Sequence, residues 1–239
     1  AERLAAVEKQ ALGNAFGHVV CSERERGLLQ RIAPRARVAV VENGVDTRFF
    51  ADAREPLSAR RCIIFVGSLD YHANVEAAVS FSRTVWPLIR ERFPEWRFTL
   101  VGSNPAPAVV ALSREKNIEV TGTVADVRPF YRQALAAIVP LRIGGGTRLK
   151  ILEAMAAGVP VVSTTLGAEG LMLCPGVNVL IADKPEDWLS HLEALSGESN
   201  LWCSLVEAGL ALVQSRYDWE VLGDLLYATY RDWLNSANT

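Results

Sequence analysis

The sequence is poor in the residues that build covalent staples and metal cages. Its four cysteines, Cys21, Cys62, Cys174 and Cys203, lie far apart and form no CxxC pair. That spacing speaks against a disulfide scaffold or a structural zinc site, and reads the cysteines as buried small hydrophobes in a reducing compartment. The three histidines, His18, His72 and His191, lack metal-ligand spacing. No apolar run approaches the ~18–20 residues of a membrane span. The charged, Ala-rich residues 1–10 do not read as a signal peptide. Neither charge dominates: 25 Lys+Arg face 27 Asp+Glu, a net charge of −2. A general nucleic-acid binder shows a basic excess, so that class is excluded. Also missing are GxxxxGK[ST], a GxGxxG after a strand, and the DxD carboxylate pair that holds a divalent ion on a diphosphate. A phosphorylated ligand would therefore have to be met by helix dipoles, backbone N–H groups and Lys or Arg.

What is present is a chain of 239 residues, 50% hydrophobic, enough to bury a real core. Short β-branched runs alternate with helical patterns. Strands are expected at 18–21, 37–41, 62–66, 98–101, 118–121, 136–139, 159–164 and 179–181. Helices are expected over 1–15, from Ser22 with Glu25 as a capping box, and over 74–92, 106–116, 127–134, 147–157, 185–195, 200–214 and 219–233. Residues 47–60, polar and Pro-containing, read as a linker. This alternation predicts α/β architecture, a doubly wound parallel sheet of Rossmann-like type. Several strands end at Gly or Pro, where open α/β sheets bind ligands. Residues 1–46 are too short for a domain and read as the end of a preceding one. Residues 47–216 form the main domain, and residues 217–239 a terminal helix.

The strongest segment is residues 140–165, PLRIGGGTRLKILEAMAAGVPVVSTT. Three glycines precede a helix, so a ligand can approach the backbone and meet free N–H donors. At about 100° per residue, Thr147, Lys150, Glu153, Ala154 and Ala157 share one half of that helix. Ile151, Leu152, Met155 and Ala156 share the other. Arg148 lies on the apolar half, but in the first turn, from which it can bend to the loop. Lys150 offers charge to phosphate oxygens. Glu153, an acceptor at neutral pH, suits two vicinal ribose hydroxyls. The plain alternative is an i,i+3 surface ion pair between them.

The run Leu152-Glu153-Ala154-Met155-Ala156-Ala157-Gly158-Val159-Pro160-Val161-Val162 resembles the donor-binding half of the family-four (group 1) retaining glycosyltransferases, which have the GT-B fold. Val41-Glu42-Asn43-Gly44-Val45-Asp46, Phe65-Val66-Gly67-Ser68, Phe98-Thr99-Leu100-Val101-Gly102 and Val120-Thr121-Gly122-Thr123-Val124 are similar to further segments of that half. Tyr217-Asp218-Trp219-Glu220 is similar to the start of the helix that packs back on the N-terminal domain. The resemblance implies the C-terminal half of a GT-B enzyme with a remnant of the acceptor half. It implies a hexosyl transfer from a nucleoside diphosphate sugar to a glycan or glycolipid acceptor, with no cofactor and no metal. It assigns Glu153 to the ribose, and Gly146, Thr147, Arg148, Leu149 and Lys150 to the diphosphate and sugar. Gly67 and Ser68 face the phosphates, and Thr123 and Val124 read the base. Lys150 and Arg148 are then the catalytic cations. Two departures stand out. Gly145 occupies the place of the family's first glutamate, and no basic residue follows the Gly67 turn. Asp70-Tyr71-His72-Ala73-Asn74, with a lysine before L-E-A-M-A, is similar to a bacterial exopolysaccharide-type subgroup. The implied location is cytoplasmic, with peripheral attachment to the inner membrane face left open.

Other residues carry weaker expectations. His72, in a loop after a strand end, is solvated or touches a phosphate. Asn43 reads as a turn residue with positive φ, and Asp126 as a helix N-cap. Asp70 is a cap or a polar contact. Glu169 follows a strand end and is placed to contact sugar. Trp86, Trp188, Trp219 and Trp233 read as packing residues. Rival functions are a nucleotide-sugar-binding module without chemistry, favoured by Gly145, and a GT-B nucleotide-sugar epimerase. A dehydrogenase ranks last.

Overall fold

The computed structural model describes Val7, Leu12 and residues 15–54 and 60–237. In chain order the elements are β1 (His18–Val20), α1 (Glu23–Ile32), β2 (Val38–Val40), α2 (Thr47–Ala51), β3 (Cys62–Val66), α3 (His72–Thr84), α4 (Trp86–Arg92), β4 (Arg97–Val101), α5 (Pro107–Val110), β5 (Ile118–Val120), α6 (Arg128–Gln133) and β6 (Ala134–Val139). They continue with α7 (Leu149–Ala156), β7 (Val161–Ser163), β8 (Leu180–Ile181), α8 (Pro185–Gly197), α9 (Ser199–Leu212) and α10 (Trp219–Ala237). No helix among the described residues is long and apolar enough to cross a membrane.

Two compact units divide the chain. One is residues 45–215, the other residues 1–44 with 216–239. In the second, β1 and β2 pair in parallel. Arg37 donates to Ser236 Oγ at 2.6 Å, Arg216 meets Glu42 at 2.9 Å, and the Trp233 ring lies on Gly17. Ser22 caps α1 by accepting from the Glu25 N–H, but the Glu25 carboxylate reaches the N–H of Cys21 rather than that of Ser22.

Residues 45–215 hold a six-stranded sheet in the order β5-β4-β3-β6-β7-β8, with every pair parallel. The chain runs outward from β3 through β4 to β5, then resumes on the other side of β3 with β6. That reversal makes β3/β6 the switch point, where open α/β sheets form their ligand crevice beyond the carboxyl ends of the strands. Every residue of β3 and β6 is buried, as expected of strands covered by helices on both faces. Their side chains, with Phe81, Trp86, Phe98, Ile151 and Leu152, form the core.

Several local expectations change. The helix expected over 74–92 starts at His72 and breaks at Val85, because Pro87 in the first turn of α4 has no N–H to continue the preceding ladder. The 106–116 helix shrinks to α5 plus a 3-10 turn at Ala111–Arg114. The linker begins as a helix: Asp46 accepts from the Phe49 N–H and buries Phe50 against Tyr131, while residues 55–59 lie outside the described residues. The expected helix over 1–15 also falls mostly outside them. Asn43 does not have positive φ; among the described non-glycine residues, Asn104 and Asn117 do. Asp126 binds the Arg128 N–H from one residue before the cap position. Only Cys62 is a buried cysteine; the other three are exposed. Trp86 and Trp188 are core residues, whereas Trp219 is 52% exposed.

Candidate functional site

The crevice is built from three chain segments. β3 delivers the Gly67–Ser68 turn. α3 follows and places Asn74 in its first turn. β6 delivers the glycine loop and α7, which carries Lys150 and Glu153. Arg148, the N-cap residue of α7, makes no side-chain cap hydrogen bond, and the positive end of the helix points toward the loop.

Lys150 reaches across to β3. Its Nζ donates to Asn74 Oδ1 at 2.7 Å and stands 4.0 Å from the Phe65 ring centroid. A Cβ built on Gly67 would lie 3.0 Å from that Nζ and 3.0 Å from Asn74 Nδ2. A side chain here would crowd the ammonium and the Asn74 amide. Burial lowers the Lys150 pKa to about 7, helped by Arg148 and opposed by Glu153. Glu153 takes a different partner: its Oε2 is 3.5 Å from Tyr131 Oη. Burial raises the Glu153 carboxyl, against the pull of Lys150 and Tyr131. The plain surface pair is therefore replaced by two half-buried groups aimed at different neighbours.

Arg148 is 4% exposed and bends back to the loop. Its Nη1 donates to Gly145 O at 3.2 Å, and its Nη2 to Gly144 O and Leu166 O at 3.3 and 3.2 Å. Gly144 and Gly146 have positive φ. The structure thus gives Arg148 the task of holding the glycine loop to the segment after β7.

The family model described as Glycosyl transferases group 1 matches residues 60–198, more than half of the chain. The chain belongs to this family. The group 1 chain is 30% identical over 189 residues to TuaH of Bacillus subtilis, a protein named for teichuronic acid biosynthesis, covering 70% of the chain and 44% of TuaH. It spans about half the length of the curated relatives it matches. Among solved structures, sucrose-phosphate synthase from Thermosynechococcus elongatus superposes with a TM-score of 0.74 at 22% identity, over 99% of this chain and 63% of that one. HepE from Anabaena, in complex with UDP and glucose, superposes with a TM-score of 0.73 at 15% identity, over 95% of this chain and 66% of that one. The fold is that of the C-terminal half of a GT-B glycosyltransferase.

Within this group 1 domain, Gly67 and Ser68 follow β3, Gly145, Gly146 and Thr147 lie in the loop between β6 and α7, and Leu149, Lys150 and Glu153 lie on α7, with Lys150 meeting the Gly67 turn. Ser68 Oγ donates to Asp70 at 2.6 Å, a polar contact that holds the Asp70 carboxyl below its ordinary range. Gly145 faces open space. His72 is exposed, its ring edge-on to Tyr71 at 4.6 Å. Thr123 and Val124 follow β5, the edge strand two places from β3, and so lie at the far end of the same row of strand ends. Glu169 lies near enough to Arg148 to raise its pKa against the effect of burial. It also lines an open groove of ≈ 470 Å³ with Leu171, Leu173 and Val179.

Asn74, which enters the sequence argument only within the Asp70–Asn74 stretch, was given no role there, and neither was Tyr131. A signal existed for the first. Asn74 shares a helix face with Ala77, Ala78 and Phe81, all buried, and a polar residue at an apolar position needs a partner.

Proposed function

We propose that the chain is the donor-binding part of a retaining, hexosyltransferase-type enzyme. The full protein moves a sugar from a nucleoside diphosphate to a polysaccharide or glycoconjugate acceptor. The observation that carries this reading is the Lys150 ammonium lying on the Gly67 turn at the switch point, beside the start of α7. As the glycosidic bond breaks, negative charge grows on the departing diphosphate. A cation already in place, with helix N–H groups aimed at the same spot, then binds the transition state more tightly than the ground state. Glu153 accepts from the ribose hydroxyls. The scheme uses this chain's own cations and no metal. The UDP and glucose of the HepE complex support a nucleotide-sugar donor, and the name of TuaH supports a polysaccharide acceptor. The acceptor is met by the part of the protein that precedes this domain.

Calorimetry of the chain with UDP, GDP and ADP, without and with Mg²⁺, tests the reading. One diphosphate binds without metal, and both Lys150→Ala and Glu153→Ala weaken it by at least about tenfold, as expected for lost charged contacts. Unchanged affinity in both variants removes the donor site from this crevice. Gly145 favours a second reading, a binding module without chemistry. Donor binding by the full-length protein with no turnover on any acceptor supports that one.

A further inference from the structure

We infer that Asn74 is a positioning residue, which aims the Lys150 ammonium at the diphosphate of a nucleotide bound against the Gly67 turn. The inference rests on the donor-site reading above. Asn74 is 7% exposed and sits in the first turn of α3. Both ends of its amide are committed: Nδ2 donates to Ser68 O at 2.8 Å, and Oδ1 accepts from Lys150 Nζ at 2.7 Å. The partners fix the orientation of the amide, since an ammonium only donates and a carbonyl only accepts. Asn74 therefore ties the phosphate-facing turn and the cation to one rigid point on a helix.

The geometry explains why a tie is needed. Lys150 comes from α7, on the far side of the crevice, on a flexible four-carbon stem that must give up rotamer freedom to hold one position. Arg148 repels it, and the Phe65 ring beneath it offers an attractive face but no direction. Among the described residues, Asn74 Oδ1 supplies the hydrogen bond of the ammonium. An ammonium has three N–H donors, so the rest stay available to a ligand. An aspartate at position 74 would hold the lysine but confront the diphosphate with like charge. An amide holds the cation and stays neutral.

Two measurements on the 239-residue chain test this. The first needs no nucleotide: the Lys150 side chain is titrated by NMR in wild type, Asn74→Ala and Asn74→Asp. The midpoint, about 7 in wild type, falls in the alanine variant and rises in the aspartate variant, each by ~1 unit. A residue that only supports the fold would not move the lysine in opposite directions. Shifts of one sign, or none, overturn the inference. The second compares calorimetric affinity for the diphosphate that wild type binds with that for its monophosphate. Asn74→Ala weakens the diphosphate about tenfold and leaves the monophosphate unchanged. The double variant with Lys150→Ala is no weaker than Lys150→Ala alone. Equal losses on both nucleotides, or additive losses, overturn the inference while leaving the donor site in place. If wild type binds no diphosphate, the donor reading falls and the inference with it, and opposed lysine shifts then report a contact without that purpose.

Discussion

Tyr131 Oη lies 3.5 Å from Glu153 Oε2, and Tyr131 has no exposed surface. The tyrosine comes from α6, just before β6, and the glutamate from the helix just after the loop that follows β6. One strand thus brings the pair together. Burial raises the carboxyl of Glu153, and the tyrosine hydroxyl partly restores it. Glu153 grips ribose hydroxyls only as a carboxylate, so affinity for a nucleotide falls as pH drops through its raised pKa. Tyr131→Phe removes the stabilising donor and moves that fall to higher pH. On the acid limb the affinity drops roughly 2- to 10-fold relative to wild type, the worth of one hydrogen bond. Calorimetry across the acid range checks this, and an acid limb that stays in place would detach Tyr131 from the site.

Lys150 shows the opposite linkage. Its pKa is 10.5 in the unfolded chain and about 7 in the folded one. Between those values the unfolded chain binds more protons, so this lysine makes stability rise with pH, and its full penalty is present below about 7. Lys150→Met removes the penalty. The variant should be more stable than wild type near neutrality, and the gap should close toward about pH 10, as denaturant midpoints would record. A diphosphate reverses the balance by favouring the ammonium. Binding above neutral pH is then accompanied by proton uptake, visible as a binding enthalpy that depends on the buffer. A gap that does not narrow with pH would mean that the ammonium is solvated.

The crevice was legible because its walls are local. The apolar run at 62–66 ends at Gly67, and the strand expected at 136–139, which the structure extends back to Ala134, ends at Pro140; each declares a buried parallel strand and its ligand-facing end. The E-A-M-A core located α7 within two residues at either end. The contacts that tune the site were not legible. Asn74 and Lys150 are 76 residues apart, and Tyr131 and Glu153 are 22 apart. No periodicity links such pairs. Arg148 was placed correctly at the loop, but its commitment to three carbonyls depends on Leu166, 18 residues on. Helical patterning likewise ran through Val85, because a proline in a first turn looks like a continuing helix until the preceding ladder is seen to stop.

Arg148→Ala should act on the loop before it acts on the ligand. The guanidinium holds Gly144, Gly145 and Leu166 through their carbonyls while almost wholly buried. Its loss costs ~1.5–3 kcal/mol, the scale of a charge-assisted hydrogen bond. Amide exchange across residues 142–149 then speeds up. Arg148→Lys does not restore protection, because one ammonium cannot reproduce the planar fork. If diphosphate affinity collapses while loop exchange is unchanged, Arg148 contacts phosphate directly.

Gly145→Glu puts a carboxylate where the family resemblance expects one. A Cβ at this position meets nothing within 4 Å, and Gly145 is not among the glycines with positive φ. The substitution should leave stability within about 0.5 kcal/mol, as for a surface change without strain. Its effect belongs to the sugar. Affinity for the bare diphosphate stays constant or falls slightly, since the added charge sits in the same loop. The ratio of nucleotide-sugar to nucleotide affinity rises if the new carboxylate reaches the hexose hydroxyls. Calorimetry with the matched pair of ligands measures that ratio directly. An unchanged ratio with an intact fold would mean that this chain orients its sugar from elsewhere, with Glu169 beyond β7 the next residue to vary.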